Sequence, residues 1–327
     1  MVEWRRCMST SGSRAGIPEV PRQILDAARD GLLVTFIGAG VSRLAGCPSW
    51  SEFARGSADL LFKMGVLSFG QRETLSRYKP RQALSMALAE MDKKGLSRDE
   101  VLDPFKTPRR RTSAHVAIRA LNAACITTNY DLCLEDSPLP EQVLIATQSS
   151  SATETIVSDY REEDLYDVSL RRGRVMHIHG AVIEAGSTVI SVSDYRNRYR
   201  PDGNLRELLK GVFSGPSSVL FVGYGLEEEE ILEPLWNALQ ADGGSVRELK
   251  HAMLYPLRPE EKCVEAHLVA YYRSLGVDLV PYQIEERGYE QLEVVLDDWA
   301  GRIGPVSRPK LTVAQLELID KVTRSTP

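Results

Sequence analysis

The run Leu32-Leu33-Val34-Thr35-Phe36-Ile37, followed at once by Gly38-Ala39-Gly40-Val41-Ser42, constrains this chain more than any other stretch. A continuous apolar segment without alternation suits a strand buried on both faces, as in parallel sheets covered by helices. The glycine pair then turns strand into helix. It removes side chains where backbone approaches a phosphate, and the helix N–H groups that follow favour an anion. The third glycine of G-x-G-x-x-G is replaced by Arg43. The strict dinucleotide fingerprint therefore fails, and a dehydrogenase is not indicated.

The same logic repeats along the chain. A first helix is predicted from about Pro21 to Asp30, stopping at Gly31, and strands at Leu33-Ile37, Ala124-Thr127, Val175-His179, Thr188-Val192, Val219-Val222, Ala252-Tyr255 and Val277-Pro281. Amphipathic stretches near Asn204-Val212, Glu228-Leu239, Pro259-Leu275 and Tyr289-Trp299 separate the later strands. This alternation predicts an α/β fold, a doubly wound, mostly parallel Rossmann-like sheet. From about Trp50 to Thr112 the pattern is helical throughout, a helical insertion capping the sheet. From about Asp136 to Arg172 it is polar and irregular, with Gln148-Ser149-Ser150-Ser151 a loop and Arg161-Glu162-Glu163-Asp164 a solvated surface. The expected organisation is a tail at 1–19, disordered or docking a partner, a nucleotide-binding domain at 20–303 with its insertion at about 50–112, and a docking segment at 304–327.

With 327 residues and 43% hydrophobic content the chain can bury a large core, and a net charge of -5 gives no broad grip on nucleic acid. The one dense basic run, Arg109-Arg110-Arg111, is expected to be a solvated loop. Five scattered cysteines without C-x-x-C argue against a disulfide framework and a structural zinc, and suit the reducing cytoplasm. No apolar run approaches the roughly 20 residues of a membrane span, and Met1 to Arg14 has no apolar core of a secretory signal.

Three further motifs carry chemistry. Thr127-Thr128 ends a strand and releases Asn129 and Asp131 into the loop at its carboxyl end, where open α/β sheets hold ligands; a turn capping a helix at Leu132 is the alternative. Val175-Met176-His177-Ile178-His179-Gly180 is a strand ending in His-Gly. Period 2 puts His177 and His179 on one face, yet no third ligand has metal spacing, so no metal is expected. His179 is a candidate general base near neutral pH, Gly180 lets a ligand approach, and His177 is read as packed or orienting. Val219-Leu220-Phe221-Val222-Gly223-Tyr224-Gly225 is a second strand breaking at a glycine pair. The carboxylates Glu227 to Glu230 that follow suit a helix start. Trp50 is read as buried packing, and Tyr195 is left open between packing and a lid.

In this order the four motifs resemble the sirtuin (silent information regulator) family over roughly Leu32 to Trp299. Gly38-Ala39-Gly40-Val41-Ser42 is similar to its Gly-Ala-Gly-x-Ser phosphate loop. Thr128-Asn129-Tyr130-Asp131 is similar to its Gln-Asn-x-Asp motif with Thr128 in place of Gln. His179-Gly180 matches its His-Gly, and Gly223-Tyr224-Gly225-Leu226 is similar to its Gly-x-Ser-Leu loop. The two C-x-x-C pairs of the deacylases have no counterpart after His179, where Ala181 to Ser187 holds no cysteine, and their Phe-Gly-Glu peptide segment is missing too. Val189 to Tyr195 is instead similar to bacterial anti-phage members of the family that cleave NAD+.

The resemblance implies NAD+ as substrate without zinc, and an NAD+ hydrolase in antiviral defence, with a deacylase or a nucleotide sensor as alternatives. His179, Asn129 and Asp131 are then catalytic. Gly38, Ala39, Gly40, Ser42, Thr128, Gly180, Gly223, Tyr224 and Gly225 bind NAD+. Because the domain fills most of the chain, control is expected from a homo-oligomer or from a partner such as a HerA-type ATPase or an Argonaute-like protein. Neither direct nucleic-acid binding nor a membrane is expected.

Overall fold

A computed structural model describes residues 16–108, 110, 112–121, 123–137, 158–159, 161, 173–241, 249–284 and 287–303. The strands are β1 (Leu33–Ile37), β2 (Ala124–Thr127), β3 (Ser158–Asp159), β4 (Val175–His177), β5 (Ser218–Val222), β6 (His251–Leu257) and β7 (Val277–Gln283). They form one seven-stranded sheet in the order β3-β4-β2-β1-β5-β6-β7, and every pairing is parallel. The described helices before β2 are α1 (Arg22–Asp30), α2 (Ala39–Leu44), α3 (Trp50–Lys63), α4 (Phe69–Leu75), α5 (Pro80–Lys93), α6 (Asp99–Lys106) and α7 (Ser113–Ala120). Those after β4 are α8 (Val192–Arg198), α9 (Asn204–Ser214), α10 (Glu229–Ala241), α11 (Glu265–Ser274) and α12 (Gln291–Ile303).

All five residues of β1 are buried, which is why its sequence does not alternate. Leu33 and Ile37 face a core with Ile24 of α1, Ile118 of α7 and Trp299 of α12. Val34 and Phe36 face the opposite core, with Leu208 of α9 and Leu235 of α10. Helices therefore cover both faces, as a parallel sheet requires. Residues before α1 join the first core, since Ile17 is buried in it and Pro18 O accepts the Trp299 indole N–H at 2.9 Å. Helices α3 to α6, over the stretch read as an insertion, place Leu61, Leu84, Leu88, Met91 and Leu102 in a third hydrophobic cluster.

Strand order reverses at β1: the chain moves to β2 on one side and later to β5 on the other. That reversal opens the crevice in which doubly wound sheets bind ligands, at the carboxyl end of β1, where Gly38 sits.

Four local expectations are corrected. Thr188 to Val192 is no strand; the Ser191 side chain accepts from Asp194 N and Asp194 answers the Ser191 N–H, a capping box that starts α8. Strand β4 stops at His177, because Gly180 adopts φ +76° and its N–H turns back to His177 O at 3.0 Å. The stretch read as irregular contains the edge strand β3. The helix expected from Pro259 opens as a 3-10 turn over Pro259–Val264 before α11. Residues 1–15, 109, 111, 162–172 and 304–327, with Gln148 to Ser151, lie outside the described residues, and with them the loop, the C-terminal segment and all of the N-terminal tail but residues 16–19, which pack on the domain.

Candidate active site

Each motif leaves the sheet at its carboxyl end, and the loops meet there. Beyond β1, the Gly38 N–H donates to Val222 O at 3.0 Å and the Gly40 N–H to Gly223 O at 2.8 Å. A Cβ on Gly38 would stand 2.6 Å from Gly223 O, and one on Gly223, itself at φ +62°, 2.7 Å from Val41 N. These glycines thus let the loops after β1 and β5 touch, and two of the N–H groups expected to face a phosphate are used in that contact. Ala39 is exposed at the turn, and Leu226 beyond Gly225 holds φ +51°, rare for a side-chain-bearing residue.

The loop after β2 is tied to this turn. The Asn129 amide donates to Gly38 O at 3.1 Å and to Ser42 Oγ at 2.7 Å, and the Thr128 N–H reaches Ile37 O. Asp131 accepts from the Cys133 N–H through Oδ1 at 3.1 Å, and no described helix begins at Leu132. The expected cap is thus a local Asx turn.

The two histidines serve different networks. His177, fully buried, meets Asn129 O through Nδ1 at 2.8 Å and Glu135 Oε1 through Nε2 at 2.7 Å. Burial works to lower its pKa, but the Glu135 hydrogen bond and charge, with the Asn129 carbonyl, outweigh this and raise it. The orienting role read for His177 is thereby given a partner, Glu135, which lies 42 positions away and showed no signal in sequence.

His179 is 2% exposed. Its Nε2 lies 2.7 Å from Tyr199 Oη, and Tyr195 stands edge-on at 5.0 Å between ring centroids. Burial lowers the His179 pKa; Glu228 opposes this, and the charges of Arg198 and Arg81 reinforce it. Burial also raises the Tyr199 pKa well above the usual phenol value. Both partners of this contact are thus held in their neutral forms. Gly180 is required because its Cβ would lie 2.2 Å from Ser187 O, so the neighbouring loop fills the space expected for a ligand.

A polar clamp missed in sequence closes around this ring. Glu228 accepts from the hydroxyls of Tyr195 at 3.1 Å and Tyr224 at 2.7 Å. Arg81 of the insertion lies 3.7 Å over the Tyr195 ring and pairs with Glu230 at 2.8 Å. Trp50, read as buried packing, is half-buried and packs on Phe53 and Tyr130. Arg110 of the basic run pairs with Glu290 and Glu293, and its Nε donates to Leu44 O.

A cavity of about 410 Å³ is lined by Tyr199, Arg206, Glu229, Glu230, Glu233 and Trp236 among others. Three carboxylates are a poor wall for a pyrophosphate, and His179, Asn129 and the glycine turn do not line it.

Residues 123–278, from β2 into β7, match the SIR2-like domain family. Over that stretch the chain is similar to a SIR2-like domain. The match holds the Asn129, His179 and Gly223 motifs, while the Gly38 turn and the helical insertion precede it. The chain is also 24% identical over 285 residues to Defense-associated sirtuin 2 of Bacillus subtilis, an alignment covering 85% of this chain. It spans 26% of that relative's length. The stretch similar to a SIR2-like domain thus lies on an all-parallel α/β sheet, the fold class that the alternation of elements predicts. No described helix is long and apolar enough to cross a membrane.

Proposed function

We propose that this SIR2-like chain is an NAD+ glycohydrolase, releasing nicotinamide and ADP-ribose, and that it acts as the NAD+-depleting effector of an anti-phage system. The observation that carries the reading is the convergence at one sheet end of Asn129, bonded to Gly38 O and Ser42 Oγ, with His179 on the next strand's loop. The nicotinamide–ribose bond breaks with oxocarbenium character. The site therefore needs a base, an amide to place ribose or water, and donors for the pyrophosphate.

His179 is the base. Its lowered pKa keeps it neutral near pH 7, and a ribose hydroxyl or the attacking water takes the place of the Tyr199 hydroxyl at Nε2. Asn129 positions that water or the ribose, and Asp131 supplies an orienting hydrogen bond to the loop that bears Asn129. The Ala39 turn, Ser42, Thr128 and the Gly223-Tyr224-Gly225 loop line the NAD+ path. Water rather than an acyl peptide is the acceptor because the sequence lacks the deacylase peptide segment and C-x-x-C pairs.

Control fits the closed ring. Opening His179 requires Tyr195 and Tyr199 to move, and Arg81 ties that wall to the insertion. We assign the release to a homo-oligomer or a partner such as a HerA-type ATPase or Argonaute-like protein, with abortive infection of the cell as the outcome and the cytoplasm as its place. Nicotinamide release by the purified chain, beside His179→Ala and with or without its genomic neighbour, tests this. Hydrolysis requiring His179 supports the enzyme. NAD+ bound but uncleaved in every condition points to a sensor, and deacylation of an acetylated peptide to a protein deacylase.

A further inference from the structure

Cys47 lies just past α2, on the arm leaving the glycine turn, and Asp131 and Cys133 lie on the loop that carries Asn129. The two sulfur atoms and a carboxylate oxygen of Asp131 lie within 4.8 Å of one another. All three residues are buried, with Asp131 only 4% exposed. The Oδ1 of Asp131 accepts from the Cys133 N–H. Its Oδ2 is buried and meets no hydrogen-bond partner among the described residues.

A pair of buried thiols alone is ordinary packing. A buried carboxylate beside them, with one oxygen left without a hydrogen-bond partner, is not, because native interiors answer such an atom with a donor or a cation. The donor set decides which cation. Magnesium and calcium take oxygen ligands, whereas two sulfurs and one carboxylate suit a borderline-soft, tetrahedral ion. An approach route exists as well. Cys133 opens on a cavity of about 310 Å³ whose wall includes Thr112, His115 and Asp136.

We propose that Cys47, Asp131 and Cys133 form a binding site for a divalent cation of the zinc type, with a fourth position facing that cavity. On binding, each thiol gives its proton to solvent, two sulfur–metal bonds and one oxygen–metal bond form, and no electron is transferred. The ion joins the arm after the glycine turn to the loop bearing Asn129, and so fixes two of the site's loops to each other. This site is separate from the C-x-x-C module of the deacylases, and it does not depend on the proposed hydrolysis.

The test is a Co²⁺ titration of the full chain, purified reduced and without chelator, read by the sulfur-to-cobalt charge-transfer band and by metal content after gel filtration. The wild-type chain is expected to saturate at roughly one Co²⁺ per chain, and Zn²⁺ to abolish the band by displacement. Cys47→Ser and Cys133→Ser should each weaken Co²⁺ binding by at least about tenfold, with far-UV circular dichroism unchanged. Cys7→Ser and Cys263→Ser should leave the band as it was. The wild-type reading stands even if a variant fails to fold. Absence of the band in the wild type overturns the site, as does a band undiminished in the Cys47→Ser/Cys133→Ser double variant. A stoichiometric Cys47–Cys133 disulfide that forms in place of metal uptake overturns it in favour of a redox pair. None of these readouts involves NAD+, so a failed glycohydrolase assay leaves the result intact.

Discussion

The Nε2 of His179 lies 2.7 Å from the hydroxyl of Tyr199, and the same ring stands edge-on to Tyr195. The candidate base is thus held neutral and capped by a neutral phenol, a geometry with consequences for pH dependence, dynamics and turnover.

The pH profile of kcat/KM for nicotinamide release should carry the signature of the lowered His179 pKa. A base must be unprotonated, so activity is expected to stay level from about pH 8 down through pH 7. It should fall only at a midpoint below the ordinary histidine value of about 6.5. An acid limb centred above that value would contradict the assignment.

Arg81 is the link between the insertion and the wall over His179. Arg81→Ala removes the contact on Tyr195 and the ion pair with Glu230. Losing about 1.4 kcal/mol there, within the range of a desolvated cation–π contact, should speed amide exchange across Val192–Arg198 by about tenfold. The helix Gln291–Ile303 should exchange as before. Equal exchange in α8 of the two proteins would show that Arg81 does not restrain it.

The Glu135–His177 pair makes a stability prediction with a definite sign. Because the folded pKa of His177 is raised, its contribution is fully present below the unfolded histidine pKa and is lost as pH rises through the folded value. Glu135→Gln should therefore cost about 1.5–3 kcal/mol on the acid side of the histidine range, above carboxylate titration, and the gap to wild type should narrow at alkaline pH. Urea denaturation across pH measures this. A gap that widens with pH would refute the pairing.

The two glycines after β5 should respond differently to alanine. Gly223 holds φ +62°, and its Cβ would meet Val41 N at 2.7 Å. Gly223→Ala is expected to cost about 2–3 kcal/mol. Gly225 has only side-chain atoms of Glu227 at ordinary contact, 3.5 Å and beyond, so Gly225→Ala should stay within about 0.5 kcal/mol. Thermal melts of the two variants decide the matter, and equal losses would mean that the loops after β1 and β5 do not touch as described.

Strands such as Leu33–Ile37 and Ala124–Thr127 were legible in the sequence because both faces are buried, which leaves unbroken apolar runs ending at turn residues. Thr188 to Val192 misled because Val189 and Ile190 pack inward without pairing. The signal that outweighs them is Ser191 with Asp194 three residues on, a helix start that Arg98 reinforces by gripping the Asp194 carboxylate at 2.9 and 3.1 Å. Asn129, His179 and the glycine turns could be found because their chemistry is written in short local motifs. Glu135, Tyr199, Glu228 and Arg81 could not, since each reaches the site through tertiary packing across 20 to 114 positions of chain: Tyr199 to His179 is near, Arg81 to Tyr195 far.

The most direct test of the account is nicotinamide release from NAD+ by the purified chain beside His179→Ala and Asn129→Ala, assayed alone and with its genomic neighbour. The account predicts NAD+ loss in at least one of those states and a fall of about 100-fold or more in each variant. Release at the wild-type rate by both variants would contradict it.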